Sequence, residues 1–72
     1  MSYTAYFVVF LNKKTQAIDH YAILSDGNPT PGKDLSPVII YQCDDDSFMK
    51  ACETMKDLLL MLGWGAAFVD SL

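Results

Sequence analysis

The amino-acid sequence predicts a single α+β domain over residues 1–72: a three-stranded antiparallel sheet wound as a β-meander, one amphipathic helix across one face, and a short apolar C-terminal segment that is a candidate fourth strand. Three observations lead there. Three runs rich in aromatic and β-branched residues precede position 44, separated by polar or Pro/Gly-containing breaks. A stretch of helical periodicity follows an acidic triplet. Finally, 72 residues, 51% of them hydrophobic, suffice for one core and leave no room for a second. The same hydrophobic content excludes a disordered tail.

The first strand is Tyr3 to Leu11, YTAYFVVFL, without Gly, Pro or charge. Asn12 to Gln16 is a polar break, and Ala17 to Leu24, AIDHYAIL, is a second run of strand length, so the two form an antiparallel hairpin. Residues 25–37 hold all three prolines and two of the four glycines, a long irregular loop. Val38 to Cys43, VIIYQC, is the third strand. The helix runs from about Ser47 to Leu62, with Asp45, Asp46 or Ser47 as the residue capping its first free amides. Gly63 suits the left-handed position that ends helices, with Trp64 folding back on the last turn. Ala66 to Val69 is the short apolar tail, able to join the sheet or to seal the helix end.

At about 100° per residue, Phe48, Ala51, Cys52, Met55, Leu58, Leu59 and Leu62 share one stripe of the helix, with Leu59 near its centre. Lys50, Thr54 and Asp57 oppose it, and Met49, Leu60 and Met61 interrupt the polar side. In the first strand, Tyr3, Ala5, Phe7, Val9 and Leu11 alternate with Thr4, Tyr6, Val8 and Phe10, so both faces are apolar while a single helix covers one. The expectation is an uncovered sheet face that drives self-association through Tyr6, Val8 and Phe10, helped by Met49 and Leu60. The four tyrosines, all on strands, add interface character.

Charge narrows the function classes. Nine Asp and Glu stand against five Lys and no Arg, a net charge of −4. Phosphate backbones are held by clustered Lys and Arg, and bases are read largely by Arg, so direct nucleic-acid binding and anionic membranes are disfavoured. An acidic chain suits a partner with a basic surface. No run approaches the roughly 18 apolar residues of a membrane span, and Lys13 and Lys14 follow the first apolar stretch instead of preceding it as in a secretory signal. A cytoplasmic chain with Cys43 and Cys52 as free thiols is expected.

No catalytic, cofactor or metal site stands out. Asp44, Asp45 and Asp46 are consecutive, so their side chains diverge, and the run lacks the alternating ligands of a calcium loop. His20 with Cys43 and Cys52 falls short of the four ligands of structural zinc, and the two cysteines lie nine positions apart. Cys52 faces the core, where a thiol is a poor nucleophile. No glycine-rich phosphate loop opens a helix, and no Gly-x-Ser-x-Gly elbow exists.

The functional expectation is therefore a small, acidic, non-enzymatic protein-binding module that forms a homo-oligomer, a dimer, and uses no cofactor. Recognition of its protein partner is assigned to Asp44, Asp45 and Asp46 with Asp26 and Asp34 on the long loop. In size and charge alone the chain resembles phage-encoded inhibitors of host nucleic-acid machinery, anti-CRISPR proteins among them. Two other classes stay open: a structural subunit or adaptor of a stable intracellular complex, and a ligand-binding protein or enzyme with a site between protomers that uses His20.

Overall fold

Strand β1 spans Tyr3–Asn12, β2 Ile18–Leu24 and β3 Leu35–Asp45; helix α1 spans Phe48–Met61 and α2 Ala66–Asp70, in a computed structural model that describes residues 2–72. The three-stranded antiparallel sheet and the following helix agree with the sequence reading. The order of the strands does not follow a meander: it is β2-β1-β3, with both outer strands antiparallel to β1. The physical reason lies in composition. Strand β1 is apolar on both faces and takes the doubly flanked centre, whereas Asp19 and His20 in β2, and Pro37, Gln42 and Asp44 in β3, suit edges.

The β1–β2 hairpin is closed locally. The Asn12 N–H donates to the Ala17 carbonyl at 2.8 Å, and the Asn12 carbonyl accepts from the Gln16 N–H at 2.8 Å. Asn12 Oδ1 also accepts from the Lys14 and Thr15 amides, and Gln16 takes the left-handed conformation, φ 62°. Each edge strand carries one irregularity, Asp19 in β2 between the partners of Phe10 and Leu11, and Ile40 in β3 between the partners of Phe7 and Val8.

Because β1 separates β2 from β3, their connection has to cross the sheet. Leu24 pairs with Tyr6 and Leu35 with Asn12, six positions along β1 and two strand spacings across, a diagonal of about 22 Å. The ten residues 25–34 reach it with slack, at up to roughly 3.5 Å each. They cross the face opposite the helices. A Cβ on Gly27 would lie 2.7 Å from Cζ of Tyr6, and Gly27, Pro29 and Pro31 are partly buried. This overturns the expected open face: Val8 is 0% and Phe10 6% exposed, the latter also covered by the His20 ring at 4.5 Å.

On the other face Ala5 and Phe7 meet Ala51, Met55 and Leu59 of α1 and Val69 of α2. Of the stripe expected from the helical wheel, Ala51, Met55 and Leu59 are buried and Phe48, Cys52 and Leu58 partly so, whereas Leu62, the residue at which the helix ends, is exposed instead of facing the core. Ser47 caps α1, its Oγ accepting from the Lys50 N–H at 3.2 Å. At the other end Gly63 adopts φ 95°, its N–H donates to the Leu60 carbonyl, and the Trp64 N–H donates to the Leu59 carbonyl, a Schellman ending. The tail is not a fourth strand. It forms α2, which with Trp64 covers the β2 side of the core: Trp64 meets Phe7 edge-on at 5.2 Å and stacks on Phe68 at 5.5 Å, and Phe68 meets Tyr21 edge-on at 5.2 Å.

Candidate functional site

At the N-terminal end of β1 the chain gathers carboxylates. Tyr3 and Thr4 pair with Asp45 and Asp44, Asp46 precedes the cap of α1, and Asp26 follows the end of β2, whose Leu24 pairs with Tyr6. The three consecutive aspartates splay as alternation requires. Asp44 lies on the loop face and accepts from the Thr4 hydroxyl at 2.5 Å. Asp45 lies on the helix face, its Oδ2 accepting from the Thr54 hydroxyl at 3.1 Å and its Oδ1 from the Asp46 N–H at 2.7 Å. Asp26 Oδ1 accepts from the Asn28 N–H at 2.8 Å, shaping the turn into the crossing loop.

Asp34 is not part of this group. It sits at the opposite end of the sheet, where the Lys13 N–H donates to its carbonyl at 2.9 Å. Lys13, Lys14 and Lys33 surround that end, all exposed. Along β1, Asp26, Asp44, Asp45 and Asp46 stand at one end, and at the other stand three of the five lysines together with Asp19 and Asp34.

The residues assigned to self-association separate. Val8 and Phe10 are buried by their own chain and present no surface. Tyr6 is partly buried beneath Gly27. Met49 and Leu60 are exposed as expected on one flank of α1, but about 16 Å of helix rise divides them, so they form no common patch. Of the tyrosines, Tyr21 and Tyr41 stack on Phe7 in the core, at 5.4 and 6.2 Å. What sequence reasoning missed is the edge of β3, where Val38, Ile39 and Ile40 are all exposed. The signal was present in Pro37, which marks an edge strand, followed at once by three β-branched residues.

His20 and the thiols do not converge. His20 lies on β2, half exposed, its Nδ1 2.6 Å from Asp19 Oδ2. Cys43 lies on β3 on the helix face, its Sγ 4.0 Å from Met55 Sδ. Burial pushes the Cys43 thiol pKa above its ordinary 9.0, and the Asp44 charge adds to the rise. Burial raises Cys52 likewise, opposed in part by Lys56. Among the described residues no three His, Cys, Asp or Glu side chains come together as a metal would need, and no pocket opens. No helix there is long and apolar enough to cross a membrane.

Comparison with family models, curated proteins and solved structures finds no match to this chain.

Proposed function

We propose that the chain is an acidic, non-enzymatic protein-binding module that meets a basic surface of its partner with the end of the sheet bearing Asp26, Asp44, Asp45 and Asp46. The observation that supports this is the uneven spread of the net −4: four aspartates share one end, whereas at the far end Lys13, Lys14 and Lys33 offset Asp34. A polarised charge distribution orients an approaching cationic surface before contact and raises the rate of productive encounter. A module of this size and charge fits an inhibitor that covers the cationic surface of a nucleic-acid-handling protein, placing carboxylates where phosphates would bind.

The test is association kinetics with the partner captured from source cells. Asp26→Asn and Asp44→Asn together reduce the net charge from −4 to −2 while keeping both side-chain oxygens as acceptors for Asn28 and Thr4, so folding is retained. The expected result is association slowed by about threefold at low salt, with a flatter salt dependence and little change in dissociation. Equal association rates for the double variant and the native chain refute the reading.

A further inference from the structure

Among the described residues no strand pairs with the outer edge of β3, and its middle is the apolar run Val38, Ile39 and Ile40. The helix packed on β3 adds to it. Thr54 reaches Asp45 of β3, and Leu58 and Met61 follow Thr54 at the four- and seven-residue spacing that keeps side chains on one helix flank. Met61 is 85% exposed. The β3 edge and this helix flank thus present an apolar strip, with Lys13, Lys14 and Lys33 around Asp34 beyond one end and aspartates alone beyond the other.

We infer that this strip is the docking surface for a second copy of the chain, set antiparallel about a two-fold axis through the Ile39–Ile40 region. Charge selects this occupant and this direction. Lys33 and Asp46 each stand six residues from the Ile39–Ile40 pair, so a two-fold axis there lays the lysine end of one copy along the aspartate end of the other, twice. A parallel arrangement would set aspartates against aspartates. Side chains dominate the contact, since Pro37 has no N–H to offer and the irregularity at Ile40 breaks the regular ladder. This goes beyond the partner reading and shares Asp46 with it, but the two tests are separate: Asp26 and Asp44 carry the partner test, and self-association is measured on the chain alone.

Sedimentation equilibrium over a wide concentration series tests the inference. The native chain is expected to approach twice its 8.0 kDa mass. Ile39→Lys should weaken association by about tenfold or more, as burying a charge at an interface centre does. Met61→Lys, at a still more exposed position, should weaken it in the same direction and serves if the Ile39 variant fails to fold. Lys33→Glu and Asp46→Lys should each weaken it by about threefold, and the two in one chain should restore it, because the exchanged charges meet again only across an antiparallel pair. A mass of 8.0 kDa at every concentration overturns the inference. So does association indifferent to Ile39→Lys and Met61→Lys, or a double charge exchange no tighter than the single ones.

Discussion

Leu59 and Gly27 show how differently single positions constrain this chain. Leu59 is fully buried between α1 and the Phe7 side of the sheet, so Leu59→Ala leaves a cavity and should cost roughly 2 to 5 kcal/mol. Lys50, exposed one turn into the helix, should cost a few tenths of a kcal/mol at most when replaced by Ala. Urea unfolding separates the two, and equal losses would mean the stripe is phased wrongly. Gly27 is constrained by contact and not by its backbone. Gly27→Ala forces the Tyr6 ring or the loop to shift, at about 1 kcal/mol, and the cost should vanish in a Tyr6→Leu background, where no ring atom stands in the way. An additive cycle would show that the loop does not rest on Tyr6.

Among the elements, the tail around α2 changes most between sequence and structure. Five residues of helix have little stability of their own, and α2 persists because Val69 and Phe68 pack on Ala5, Phe7 and Tyr21. Trp64 ties that packing to the end of α1. Trp64→Ala should therefore cost about 3 kcal/mol and lower the urea midpoint, despite lying outside both helices. A loss below about 1 kcal/mol would mean that the aromatic contacts of Trp64 with Phe7 and Phe68 contribute little.

At the scale of the whole molecule, strand order decides how long the β2–β3 connection has to be. In a meander two to five residues would join neighbouring strands. Here the connection spans about 22 Å and arches over side chains. Deleting residues 27–31 leaves five, about 18 Å when fully stretched, and should abolish the cooperative unfolding transition. A deletion variant of native stability would instead support β3 pairing beside β2. The same crossing buries Val8 and Phe10, which moves the exposed apolar surface from a sheet face to the edge of β3.

Local chemistry was legible in the sequence alone. The alternation of β1, the periodicity that phases Leu59 inward, a helix cap within Asp45–Ser47 and the Gly63–Trp64 ending each depend on residues within a few positions of one another, and each stands in the structure, with Ser47 as the cap. The acidic character and lack of arginine were legible for the same reason, being sums over residue types. Tertiary structure alone decided the order β2-β1-β3, the coil of Ala66–Asp70 into a helix, the burial of Val8 and Phe10, and the parting of Asp34 from Asp26, Asp44, Asp45 and Asp46. Those outcomes turn on which distant segments become neighbours. A hairpin-length break and a short apolar run are compatible with more than one such arrangement, and the arrangement adopted is the one that covers both apolar faces of β1 at once.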